Sequence, residues 1–215
     1  MKYKLVIFDL DGTILDTLED LYNSVNFALC KNNLPERSIV EVRSFVGNGI
    51  RLLIERAVPE NTAPKTVDII FSDFKSHYKN HSIDNTEPYP GIIDLLVELR
   101  KSGIKTAVVS NKADFAVQEL VKQYFDGLFD FAVGERENIA KKPNPDSVYE
   151  ALRFLDINKE EAVYIGDSEV DIETARNSGL DEIIVDWGFR DTDFLHKCGA
   201  KLIFSEPDKL LKYLL

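Results

Sequence analysis

Apolar positions along this chain follow two rhythms. Leu5–Phe8 is a short, unbroken apolar run, the pattern of a strand buried on both faces. It leads into Asp9 and Asp11, one residue apart, and then Gly12, which permits a tight exit turn. From Asp16 to about His81 the rhythm is helical. Leu18, Leu21, Val25, Ala28 and Leu29 repeat at helical spacing, and Thr17 with Asp20 resembles an N-terminal cap. Pro35, the turn Val46-Gly47-Asn48-Gly49 and Pro59 divide the remainder into helices over roughly 37–45, 50–57 and 64–81, with no strand among them.

From Gly91 the pattern alternates. The helix Ile92–Ser102 precedes a strand Thr106–Val109, and Asp114–Phe125 precedes Phe131–Val133. Pro145–Leu155 then leads to Ala162–Ile165, and Ile172–Asn177 to Ile183–Val185. A helix Asp193–Lys197, a strand Lys201–Phe204 and a helix Pro207–Tyr213 finish the chain. Strands apolar on both faces that alternate with helices predict an α/β fold with a doubly wound parallel sheet. A crossover between parallel strands needs only about a dozen residues or more. The excess is read as an inserted all-helical domain, residues 16–87, within an α/β core of residues 1–15 and 88–215. Its hinges are expected at Thr13–Asp16 and Glu87–Gly91.

Composition narrows the function. The 215 residues suffice for a sizeable core, and a net charge of −11 argues against a nucleic-acid surface or an anionic membrane as partner. It does not exclude an anionic substrate, because a metal ion inverts the local field. Cys30 and Cys198 match no zinc spacing and are expected to be reduced packing residues. The early first strand and the lack of a long apolar run lead to the expectation of a cytoplasmic protein. Oligomeric state is not legible.

Three strand ends carry unusual polar residues: Asp9, Ser110-Asn111-Lys112 and Gly166-Asp167. Ligands of open parallel sheets bind beyond the carboxyl ends of the strands, and neighbouring strands lie about 4.8 Å apart, so the three can converge on one small ligand. Lys142 precedes Pro143, which disfavours helical geometry before it. Asn144 and Pro145 then suit a helix start, so Lys142 is expected on an ordered loop. Asp171, in the first turn of the helix after Asp167, is also explained by the helix dipole alone. Taken singly, the Asp9–Gly12 stretch reads equally well as an ordinary Asp/Gly turn, and Lys142 as a solvated lysine. An EF-hand fails on glycine spacing. A zinc site at His77 and His81 lacks a third ligand, so both are expected on the surface.

Together, Asp9-Leu10-Asp11-Gly12-Thr13, Ser110-Asn111, Lys142-Pro143 and Gly166-Asp167 with Asp171 resemble the four ordered motifs of the haloacid dehalogenase superfamily. Val46–Arg51, Tyr89-Pro90-Gly91 and Trp187-Gly188-Phe189, with the helical insertion, resemble its phosphoglycolate phosphatase-like subgroup. The resemblance implies Asp9 as nucleophile, forming an aspartyl-phosphate, and Asp11 as general acid and then base. Thr13, Ser110, the Asn111 backbone and Lys142 would hold the phosphoryl group. Asp9, Asp167 and the Asp11 backbone carbonyl would hold Mg²⁺, with Asp171 supporting Lys142 or a metal-bound water. With Asp11 protonated, the three remaining aspartates and Lys142 sum to −2, which Mg²⁺ would bring to zero. Asp11 separates this chain from dehalogenases and phosphonate hydrolases, which lack an acid there. Thr13 favours a phosphatase over a phosphomutase.

The expected substrate is a small phosphorylated metabolite, phosphoglycolate first. Pyrophosphate, sugar phosphates and nucleotides are the alternatives, and a non-enzymatic Mg²⁺-dependent phospho-ligand sensor is the reading from another class. Arg51 and Asn48 are candidates for reading the substrate beyond its phosphate, with a surface arginine at a helix start as the plainer reading. Trp187 and Phe189 are expected either to line the entrance or simply to pack.

Overall fold

Leu5–Phe8 (β1) has all four side chains buried and holds the middle of a parallel sheet. The computed structural model describes residues 2–215. After two short strands, Leu15–Asp16 (β2) and Glu87–Pro88 (β3), come Lys105–Ala113 (β4), Phe131–Glu135 (β5), Ala162–Gly166 (β6), Asp181–Val185 (β7) and Ile203–Phe204 (β8). The six-stranded sheet runs β5-β4-β1-β6-β7-β8, and β2 pairs with β3 separately. The chain divides into two compact units, Met1–Leu15 with Pro88–Leu215, and Asp16–Glu87.

Alternation along each strand sends successive side chains to opposite faces. Leu5, Ile7, Ala107, Val109 and Tyr164 join Val148, Ala151 and Leu155 in one cluster, so the helix Asp146–Leu155 covers that face. Phe8 meets Phe129 edge-on, with ring centroids 6.2 Å apart. The other helices of this unit are Ile92–Lys101, Asp114–Tyr124, Glu169–Ser178, Thr192–Lys197 and Pro207–Leu214. None of the described helices is long and apolar enough to cross a membrane.

The second unit holds Leu18–Lys31, Ile39–Phe45, Ile50–Ala57 and Pro64–His81. Leu21, Val25, Ala28 and Leu29 are buried, as helical periodicity predicts. Thr17 is the N-cap residue, as expected, but its side chain makes no cap hydrogen bond, and the expected pairing with Asp20 is corrected. Asp16 Oδ1 accepts the Leu18 N–H at 3.2 Å, while the buried Asp20 carboxylate turns to Asn85 and Thr86. It accepts both backbone N–H groups, the Asn85 Nδ2–H and the Thr86 hydroxyl at 2.8–3.1 Å. A buried carboxylate matched by four donors is held more strongly than one spent on an exposed helix cap.

Three other expectations are corrected. His77 is not a bare surface residue: its Nδ1 lies 3.0 Å from the Ser24 hydroxyl, and its ring stacks on Phe27 at 4.1 Å. Cys30 is exposed, with its thiol 2.9 Å from Glu36 Oε1, rather than packed. The strand expected over Thr106–Val109 continues to Ala113, across a register shift between Val109 and Ala113.

Candidate active site

Register brings the polar residues together. Phe8 lies opposite Val108 on one side and Ile165 on the other, so Asp9, Ser110 and Asp167 emerge at neighbouring carboxyl ends. The chain runs outward from β1 through β4 and β5, then returns to β6 on the opposite side of β1. That reversal is where parallel sheets open a crevice.

Asp9 Oδ1 accepts the Leu10 N–H at 2.7 Å and lies 2.9 Å from Lys142 Nζ. The same ammonium donates to Asp171 Oδ1 and to the Tyr164 hydroxyl, each at 2.9 Å. The Lys142 backbone is also tied. Its N–H donates to Asn111 Oδ1 at 2.8 Å, and its carbonyl accepts from Asn111 Nδ2 at 3.0 Å. A buried lysine held at both ends is a fixed point charge. The ordered loop expected from Pro143 is therefore observed; the helix start is corrected by one residue, with Pro145 rather than Asn144 as the N-cap of Asp146–Leu155, and Asn144 Oδ1 accepts the Asp146 N–H at 3.1 Å.

Asp171 is fully buried and its other oxygen is engaged too. Oδ2 accepts the N–H of Asp167 at 3.2 Å, the N–H of Ser168 at 3.1 Å and the Ser168 hydroxyl at 2.6 Å. Asp167 accepts the Phe189 N–H at 2.7 Å and the Thr13 hydroxyl at 3.2 Å. Gly12 has φ +80°, and a Cβ there would overlap the Asp167 carboxylate. Only glycine lets the turn after Asp11 approach so closely.

Burial of like charges sets the electrostatics. Desolvation raises Asp9 from 3.8 to about 7, with Lys142 pulling it down and Asp171 pushing it up. Desolvation, then repulsion from Asp171 and Asp9, holds Asp167 well above the carboxylate range. Burial opposes the Lys142 charge, but Asp171 and Asp9 outweigh it and keep the ammonium well above its ordinary value. Oxygens of Asp9, Asp167 and Asp171 lie within 4.8 Å of one another. An all-carboxylate set with strained ionisation suits a hard divalent cation such as Mg²⁺. Asp171 is already committed to Lys142, Tyr164 and Ser168, which leaves Asp9 and Asp167 to turn toward an ion.

The remaining predicted residues divide. Asp11 Oδ1 meets Lys112 Nζ at 2.8 Å, and Ser110 Oγ accepts the Lys112 N–H at 3.3 Å. Trp187 Nε1–H donates to the Thr13 carbonyl at 3.0 Å, and Phe189 is buried. Asn48 and Arg51 belong to the inserted unit. The Arg51 guanidinium pairs there with Glu55 at 2.7 Å and Asp68 at 2.6 Å.

Sequence reasoning gave no role to Lys112, Tyr164 or the Phe189 N–H. Lys112 shares strand parity with Ser110, and Tyr164 carries the one hydroxyl in an apolar run; both signals were available. The Phe189 contact is a backbone one and leaves no trace in residue type.

Residues 6–185 match the family described as haloacid dehalogenase-like hydrolase. A phosphoglycolate phosphatase of Aquifex aeolicus is 32% identical over 191 residues, covering 86% of this chain and 86% of that one. One from Rhodobacter capsulatus is 35% identical over 192 residues, covering 87% of this chain and 86% of its own. A crystal structure from Lactobacillus delbrueckii subsp. bulgaricus, described as a candidate phosphoglycolate phosphatase, superposes with a TM-score of 0.96 at 40% identity, covering 100% of this chain and 99% of that one. With the matched span running from β1 through β7 and including Asp9, Lys142 and Asp167, the chain belongs to the haloacid dehalogenase-like hydrolases.

Proposed function

We propose that this hydrolase is a Mg²⁺-dependent phosphatase that cleaves a small phosphomonoester through an aspartyl-phosphate, with phosphoglycolate the leading substrate. The observation that carries the reading is the buried Lys142 ammonium 2.9 Å from Asp9 Oδ1, beside a second buried carboxylate, Asp167, whose oxygen lies within 4.8 Å of those of Asp9 and Asp171. The names of the relatives from Aquifex aeolicus and Rhodobacter capsulatus support the substrate class.

In this reading an Asp9 oxygen attacks phosphorus, and the ester P–O bond breaks as Asp11 gives its proton to the departing alcohol. Water then attacks the phosphorus of the acyl phosphate, Asp11 takes the water's proton, and the bond to Asp9 breaks to release inorganic phosphate. Thr13, Ser110 and the Asn111 backbone N–H bind phosphoryl oxygens, and Lys142 offsets their charge. Asp9, Asp167 and the Asp11 backbone carbonyl would hold Mg²⁺. What the ion supplies when bound is positive charge where the phosphoryl oxygens gather negative charge.

The test is kcat/KM across phosphoglycolate, sugar phosphates, nucleotides and pyrophosphate, with Asp9→Asn as control. Phosphate release that depends on Asp9 and is fastest with phosphoglycolate is expected. Release unchanged in the Asp9→Asn protein would overturn the mechanism, and a different preferred ester would replace the substrate.

A further inference from the structure

Lys112 is a buried cation that the scheme above leaves without a task. Its side chain is only 5% exposed, yet its ammonium stands 2.8 Å from Asp11 Oδ1. Burying a lysine is costly unless its charge is matched, so the placement calls for a reason beyond packing.

The backbone is shaped to allow it. Between Val109 and Ala113 the register of β4 against β5 shifts, and such irregularities re-aim side chains beside active sites. Gly134 on β5 makes room: a Cβ there would overlap the Lys112 carbonyl and the Asp114 backbone. The Gly134 N–H also donates to Asp114 Oδ1 at 2.8 Å, and the Lys112 N–H donates to Ser110 Oγ. Lys112 therefore leaves a locked stretch of strand. Asp11, in contrast, sits at the mouth of the turn closed by Gly12, where its carboxylate is 17% exposed.

We propose that Lys112 is a positioning residue for Asp11, its ammonium fixing the Asp11 carboxylate in the place from which it exchanges a proton with the leaving group. Lys142 pairs with Asp9 and Asp171, whereas Lys112 pairs with the carboxylate that the chemistry must keep in register with the alcohol oxygen. A misplacement of about 1 Å in such a group costs on the order of 10²-fold in rate. The inference rests on Asp11 being the acid/base, and its test separates the two.

The measurement is kcat/KM for two esters, an alkyl phosphate and 2,4-dinitrophenyl phosphate, whose departing phenolate needs no proton. Lys112→Met is expected to cost about 10²-fold with the alkyl ester and about threefold or less with the dinitrophenyl ester, with Lys112→Arg recovering part of the alkyl loss. Equal losses on both esters would overturn the proposal and make Lys112 a phosphate-binding charge.

The Asp11→Asn/Lys112→Met protein strands no charge, so it remains informative if Lys112→Met alone does not fold. Compared with Asp11→Asn it is expected to be unchanged within about twofold. A further loss as large as in the wild-type background would sink the idea. Asp11→Asn that fails to discriminate the two esters would instead sink the acid assignment, while the double variant still decides whether Lys112 acts through Asp11.

Discussion

Lys142 Nζ lies 2.9 Å from Asp9 Oδ1, and the lysine side chain is 2% exposed. The charge that would meet a phosphoryl group thus already braces the carboxylate beside it. Lys142→Met should lower kcat by about 10²–10³-fold. It should also destabilise the protein by about 3–5 kcal/mol, because Asp9 and Asp171 are left buried without their cation. Steady-state kinetics and urea unfolding check the two halves, and a variant of undiminished stability would show that the pair is not the brace described here.

Asp11→Asn keeps the nucleophile and removes the base that activates water. Phosphate should therefore accumulate on Asp9, visible as a mass increase of the acid-quenched protein after brief exposure to substrate. Unchanged steady-state turnover would refute the acid/base role.

The raised pKa values of Asp9 and Asp167 fix the sign of a pH effect. Asp9 binds its proton up to about pH 7 in the folded chain against an ordinary 3.8, so between those values the folded state holds more protons than the unfolded one. The contribution is intact below pH 4 and is lost as pH rises through 7. With divalent ions chelated, thermal stability from this source should fall between pH 5 and 8. Added Mg²⁺ should raise Tm more at pH 8 than at pH 5, and phosphatase turnover should vanish in chelator. A Tm increment independent of pH would place the ion elsewhere.

Gly12→Ala should be severe for its size. The residue is held at φ +80° and its Cβ would strike the Asp167 carboxylate. The backbone strain alone is about 1–2 kcal/mol, and displacing Asp167 should weaken Mg²⁺ affinity, measured by titrating activity. Wild-type affinity in a stable Gly12→Ala protein would contradict the close approach.

The fold was largely legible because buried parallel strands announce themselves. Leu5–Phe8 and Ala162–Ile165 read as apolar runs, and both are strands in the structure. The register shift that carries β4 past Val109 was not, since Ser110, Asn111 and Lys112 are polar residues in a strand interior. The candidate site was legible where chemistry sits at a strand end, as at Asp9 and Asp167. It was not where side chains serve side chains. Asn111, expected to act through its backbone, also uses both ends of its amide to hold Lys142. Asp20, expected to begin a helix, instead ties down a segment more than sixty residues away.

Because Asp20 fastens Asn85 and Thr86, the helical insert begins and ends at nearly one point in space. A module whose two termini coincide can be exchanged, lengthened or lost without stretching the host sheet.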